Sequence, residues 1–243
     1  MIPKIIHYCW FGGKPLPKSA RKCIASWHRH FPEFEIREWN ESDFDVNAIP
    51  YTREAYERGK YAFVSDYARF YVLYHHGGLY FDTDVEVIRP MYDLISAGAF
   101  MGIEQSAAST GVNPGLGLAA GQGMEIYKTV LDYYSTLHFV DGNGQQLPGT
   151  VVKHTTDILA RYGFVCENRM QEVAGVKIYP NDWFNPLDDA TGRLTVTGNT
   201  RSIHHYSKTW VDNYGPFRIW ITRRLHRIFG IDGLQRLKKL IKF

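Results

Sequence analysis

Residues 77–88 read Gly-Gly-Leu-Tyr-Phe-Asp-Thr-Asp-Val-Glu-Val-Ile. At the two-residue period of a strand, Leu79, Phe81, Thr83, Val85 and Val87 share one face, and Tyr80, Asp82, Asp84 and Glu86 the other. The first face is apolar and belongs in a core. The second gathers three acids. The spacing predicts a single strand over 79–88, with Asp82 and Asp84 on one side and roughly 6–7 Å apart at Cα. Carboxylates that close repel unless a cation lies between them. A hard divalent ion with oxygen ligands, Mn²⁺ or Mg²⁺, is the natural partner, and it keeps positions open for phosphate oxygens.

The tripeptide alone proves little. With 14 Asp in 243 residues, chance supplies about one Asp-x-Asp match, and Asp43-Phe-Asp45 is a second. Context separates them. Asp43 follows Asn40-Glu-Ser in a polar, turn-like cluster, where solvated acids are expected. Asp82 and Asp84 sit in an apolar run, where an unpaired acid pair is costly.

Outward from this stretch, strand-like and helix-like runs alternate. Strands are expected at 4–11, 34–39, 79–88, 99–103, 115–120, 176–179, 194–197 and 203–206, and helices at 17–31, 50–58, 61–76, 123–137 and 150–162. This alternation predicts an α/β domain with a mostly parallel central sheet, whose ligand sits beyond the carboxyl ends of the strands. Helix 61–76 carries an aromatic stripe (Phe63, Tyr67, Phe70, Tyr71, Tyr74) expected in the core. Asp66 and Arg69 lie i, i+3 on another face. They read either as a surface ion pair or as a carboxylate for sugar hydroxyls beside a guanidinium for an anion.

Ser65-Asp-x-x-Arg69, followed by Leu-Tyr-x-x-Gly-Gly-x-Tyr-x-Asp-x-Asp over 73–84, resembles the sugar-binding, DXD-containing region of glycosyltransferase family 32. Residues 2–12 (Ile-Pro-Lys-Ile-Ile-His-Tyr-Cys-Trp-Phe-Gly) are similar to that family's first strand, and 203–210 (Ile-His-His-Tyr-Ser-Lys-Thr-Trp) to its C-terminal His…Trp motif. The resemblance implies a GT-A, Rossmann-like fold, a nucleotide-sugar donor and retention of configuration. It further implies that Trp10 and Phe11 meet the nucleotide, that Ser65, Asp66, Arg69 and Tyr80 line the donor sugar, and that Asp82 holds the ribose or sugar side. Asp84 would ligate the metal, His204 or His205 would complete the metal shell, and Trp210 would close over the diphosphate. Parity points the two histidines opposite ways, so one of them is expected at the metal. Asn113 resembles an Asn of the family's acceptor-side loop, while the loops at 113–117 and 147–150 depart from the family pattern and leave the acceptor site unassigned. No carboxylate reads as a covalent nucleophile, so a front-face route is expected, in which the leaving phosphate takes the acceptor proton. Residues 207–215 read as a lid over the departing group.

The rest of the sequence bounds this reading. Hydrophobic residues make up 44% and charged residues 22%, which excludes disordered and fibrous classes. Residues 1–11 have no leader pattern, and the longest uncharged stretch, 105–124, is too rich in Gly, Ser and Asn for a membrane span. Three cysteines without a CxxC predict reduced thiols in a cytosolic protein. His7, His28, His30, His75 and His76 are expected in core or surface roles. The net charge of +3 is uneven: residues 216–243 carry +7 and the remainder −4. The acidic body argues against nucleic acid. The basic 216–243 segment, studded with Phe217, Trp220, Ile221, Leu225 and Ile228, predicts an amphipathic tail of two short helices. It would appose the 1–215 catalytic domain to the anionic cytoplasmic face of the membrane. The sequence therefore predicts a metal-dependent, retaining transferase. It would move sugar from a nucleotide-sugar donor, UDP-sugar favoured over GDP-sugar, to a glycan or lipid-linked acceptor in surface polysaccharide synthesis. The rivals are an Asp-x-Asp phosphohydrolase, disfavoured because Glu86 stands where that motif wants Thr or Val, and a carbohydrate-binding protein without catalysis.

Overall fold

The computed structural model describes residues 1–106, 109–207 and 216–230. The chain opens with β1 (Ile5–Cys9), α1 (Lys18–His30) and β2 (Glu35–Trp39), then α2 (Pro50–Glu57) and α3 (Tyr61–His76). β3 (Gly78–Tyr80), β4 (Val85–Val87), α4 (Tyr92–Ala97), β5 (Phe100–Gln105), β6 (Thr110–Asn113) and β7 (Leu118–Ala120) follow. The remainder comprises α5 (Glu125–Ser135), α6 (Val151–Ala160), β8 (Gln171–Val173), β9 (Val176–Tyr179), α7 (Asn181–Phe184), β10 (Ser202–His204) and α8 (Pro216–Phe229).

Eight strands form the main sheet in the order β2-β1-β3-β7-β5-β9-β8, with β6 also paired to β5. The pairings make β2, β1, β3, β5 and β9 run one way, and β6, β7 and β8 the other. This is the expected α/β architecture with a mostly parallel sheet. One core contains residues of α2, α3, α5 and α6, the other residues of α1, α4 and α7. α3 is buried nearly all round, which is why it is apolar beyond a single stripe. Phe63 meets Phe139, Phe70 meets Tyr127, and Tyr67 meets Phe44 and Tyr134.

The stretch 77–88 corrects one expectation. It is two strands, not one. β3 belongs to the main sheet. β4 leaves it and pairs antiparallel with β10 in a separate two-stranded sheet. A turn closed by Val85 N–H donating to the Asp82 carbonyl (3.0 Å) makes the break. The branch is held by α1: Trp27, fully buried, donates to the Val85 carbonyl (2.8 Å), and Ser26 Oγ accepts from Val87 N–H (2.9 Å). Gly77 and Gly78 launch β3 at φ +64° and +101°. A Cβ on Gly78 would stand 2.6 Å from the Ile5 carbonyl oxygen, so only glycine lets β3 lie this close to β1.

Three other differences have local causes. Residues 194–197 make no strand beyond a single bridge from Leu194 to Leu187, since Thr195 and Thr197 are instead tied to Pro186 and Thr200. The 115–120 strand is only Leu118–Ala120, because the chain first turns at Asn113, whose side-chain oxygen accepts from Gly115 N–H (2.7 Å). β6, β8, α4 and α7 are too short to register as periodic patterns.

Candidate active site

The turn between β3 and β4 carries Asp82 and Asp84 out of the main sheet. β10, paired to β4, brings His204 to them. One ligand atom from each of Asp82, Asp84 and His204 lies within 4.8 Å of the other two. His205 is exposed and faces Glu86 (2.8 Å), so of the two adjacent histidines the chain turns His204 inward.

Asp84 is the more enclosed acid, its side chain 15% exposed against 28% for Asp82. Burial alone would raise its pKa. The His204 ring at 3.1 Å and the Ser207 N–H and hydroxyl at 2.8 and 2.9 Å outweigh burial and hold the carboxyl well below its usual range. His204 answers in kind. Burial lowers it, but Asp84, Asp82 and Glu104 raise it to about 9. Its Nδ1 is buried and has no hydrogen-bond partner among the described residues.

Asp82 is positioned from the opposite side. Arg69 reaches it at 3.3 Å and the Tyr80 hydroxyl donates to it at 3.0 Å. The same guanidinium pairs with Asp66 at 3.0 Å and stacks over the Tyr80 ring at 5.0 Å. Its Nε donates to the Ser65 carbonyl (3.0 Å). The Asp66–Arg69 pair is therefore buried, not a surface pair. Burial pushes Asp66 up to about 7 against the pull of Arg69. A Cβ on Gly115 would collide with Asp82 Oδ2, so this glycine makes room for the carboxylate.

The other expected residues divide. Trp10 stays partly exposed, its indole donating to the Lys14 carbonyl (2.5 Å). Phe11 is buried edge-on to Phe44 in the core. Trp210 and the 208–215 part of the expected lid lie outside the described residues. Asn113 donates to Glu104 Oε2 (2.6 Å).

Two participants had no sequence signal of their own. Glu104, at the end of β5, is within hydrogen-bonding reach of Tyr206 and close enough to help charge His204. Tyr206, at φ +53°, places its ring 4.3 Å from that of His204 and donates to Asn185 Oδ1 (2.9 Å). Glu104 is a carboxylate on the far side of the cluster from Arg69's partners, where none was expected. Its spacing to the 77–88 stretch is set by tertiary pairing, which a single sequence does not reveal.

The donor set fits a hard divalent cation: two carboxylates and one imidazole, with one ligand atom of each within 4.8 Å of the others. Arg69 adds a fixed cation beside the open side of Asp82.

A family profile described as "Glycosyltransferase sugar-binding region containing DXD motif" matches residues 17–101. Similar curated proteins include an uncharacterized glycosyltransferase of Acanthamoeba polyphaga mimivirus (33% identical over 110 residues, 41% of this chain and 42% of that one). Another is inositol phosphoceramide mannosyltransferase 1 of Schizosaccharomyces pombe (28% over 111 residues, 41% and 33%). The aligned segment thus spans less than half of either relative. Among solved structures, the chain resembles a glycosyltransferase involved in glycosylation of the major capsid of PBCV-1 (13% identical, TM-score 0.48, covering 86% of this chain and 95% of that one). It also resembles the PaToxG glycosyltransferase (18%, TM-score 0.47, 66% and 69%). Over residues 17–101, the chain is similar to the sugar-binding region of the DXD-motif glycosyltransferases.

Proposed function

We propose that this protein is a metal-dependent, retaining glycosyltransferase of GT-A type. It takes a nucleotide-sugar donor, UDP-sugar favoured over GDP-sugar, and serves a glycan or lipid-linked acceptor in surface polysaccharide synthesis. The observation that carries the reading is the convergence of His204 on Asp82 and Asp84, two acids within the segment similar to a DXD sugar-binding region, with Arg69 fixed beside them.

Asp84, Asp82 and His204 would hold Mn²⁺ or Mg²⁺, which supplies charge neutralisation for a departing diphosphate. The chain's own groups do the rest. Asp66 and Arg69 bind and orient the donor sugar, with Arg69 fixed in place by Ser65, Asp66, Asp82 and the Tyr80 ring. Ser207 holds Asp84 ionised. Trp10 offers a ring face to the base. The leaving phosphate takes the acceptor proton on the same face, and a covalent glycosyl adduct trapped on any side chain would overturn that route. Residues 216–243 bring the protein to an anionic membrane surface: Phe217, Trp220, Ile221 and Ile228 are exposed along α8, beside Arg224. Among the described residues no helix is long and apolar enough to cross a membrane.

Thermal shift against UDP-, GDP- and CMP-sugars, with and without Mn²⁺, tests the donor class, and turnover by the Asp84→Asn variant tests the site. We expect Mn²⁺-dependent stabilisation by one nucleotide class and loss of turnover in a folded variant. Full activity in Asp84→Asn would refute the assignment.

A further inference from the structure

A cavity of about 370 Å³ opens between the end of β5 and the chain from α7 through residue 197. It contains none of Asp66, Arg69, Asp82 or Asp84, so it is distinct from the donor side of the site. One contact nevertheless ties it to the cluster. Asn185, in its wall, accepts the hydroxyl of Tyr206, which packs on His204 and lies within hydrogen-bonding reach of Glu104.

The lining is unusual for a small-molecule pocket, which is generally apolar with few polar groups. Here the amides of Gln105, Asn181 and Asn185 and the hydroxyls of Thr195 and Thr197 meet an apolar patch from Pro186 and Leu187. Amides and hydroxyls both donate and accept, as a polyol requires. The apolar patch suits the C–H face of a pyranose ring. The volume lies within the roughly 300–1,000 Å³ usual for ligand sites, and near its lower end, which fits one or two sugar residues rather than a long chain.

We infer that this cavity is the acceptor subsite, and that its occupant is the terminal saccharide of a glycan, presented toward Glu104 and Tyr206. The inference rests on the proposed transferase reading and adds the acceptor's place and chemical class. Pro186 and Leu187 are the apolar side chains among the lining residues, too few to hold a lipid chain, so recognition is of the sugar part of a lipid-linked acceptor.

The cavity's outer loop is braced from α8. Arg223 donates to the Asp189 carbonyl (3.1 Å), Arg227 to the Thr191 and Gly192 carbonyls (both 2.6 Å), and the His226 ring bonds Ala190 O (2.9 Å). The loop that carries Asp188 and Arg193 into the cavity is thus held in place by a separate element.

The test uses the full chain with Mn²⁺ and the donor found by thermal shift. Acceptor binding is read by saturation-transfer NMR against a panel of methyl α- and β-hexosides, and donor hydrolysis to water is read in parallel. Thr195→Trp, which fills the cavity, should weaken glycoside binding at least tenfold while hydrolysis stays within twofold of wild type. Arg193→Ala, at the rim, should alter glycoside affinity without altering hydrolysis, and it keeps the test valid if the tryptophan variant does not fold. Unchanged glycoside binding in both variants would overturn the inference. So would hydrolysis falling in step with binding, or a wild type that hydrolyses donor yet binds no hexoside. A wild type that hydrolyses no donor would instead strike at the transferase reading itself.

Discussion

Gly115 sets the geometry of Asp82 more directly than any side chain does. The space its missing Cβ leaves is filled by an Asp82 carboxylate that is tied to Arg69 and Tyr80. Gly115→Ala should therefore displace that carboxylate. We expect at least a tenfold loss of Mn²⁺-dependent turnover with a melting temperature lowered by only a few degrees, checked by activity and calorimetry on one preparation. Asp84→Asn acts on the other acid and should behave more severely, because it also removes the countercharge of buried His204. Much of this was legible from the sequence. Parity over 77–88 put Asp82 and Asp84 together, and parity over 203–206 separated His204 from His205. What misled was the premise of one continuous strand. The acids converge because the chain turns between two sheets, a tertiary event that alternation does not record.

At the scale of elements, His7 joins three strands. On β1, it accepts from the Trp39 indole of β2 at Nδ1 (3.0 Å), so its Nε2 carries the proton donated to the Gly77 carbonyl at the head of β3 (2.9 Å). Burial, first, and the nearby His76 and Arg37 lower its pKa from 6.5 to about 4 despite the Gly77 bond. Between those values the unfolded chain binds the proton that the folded chain refuses, so stability rises with pH through this window. Acidification from pH 6.5 to 4 should cost up to about 3 kcal/mol through this residue alone. Denaturant titrations across that range should find a shallower dependence in His7→Gln; an identical slope would exonerate the histidine. α8 makes a second element-scale prediction. Deleting 216–243 removes its exposed apolar stripe, so the protein should shift from the vesicle pellet to the supernatant with anionic liposomes. Unchanged sedimentation would deny the membrane role. The basic tail was visible in composition. That Arg223, His226 and Arg227 point into the body, leaving the apolar residues outward, was not, because apart from the Asp189 carboxylate their partners are backbone carbonyls, which carry no sequence signature.

For the whole molecule, the sheet order explains why the site forms where it does. β7 runs antiparallel between β3 and β5, so the Asp82 turn and the end of β5 reach the same edge, and the β6–β7 connection supplies Asn113 and Gly115 between them. Ligand binding to this folded arrangement alone should stabilise the chain as a unit. At a hundredfold excess over its dissociation constant, a donor with Mn²⁺ adds about 2.7 kcal/mol. For a chain of this size that raises the melting temperature by roughly 5–10 °C. Differential scanning fluorimetry should register the shift only with metal and nucleotide-sugar together.

The grip of α8 on residues 189–192 falls almost wholly on main-chain oxygen. At Ala190 such a hold is indifferent to the side chain, whose methyl group contributes nothing to the docking. Asp189, whose carboxylate pairs with Arg223, and Gly192, where a Cβ would meet the Arg223 side chain, are the fixed points, so Ala190 and Thr191 are the positions where the loop tolerates rewriting without loosening its anchor.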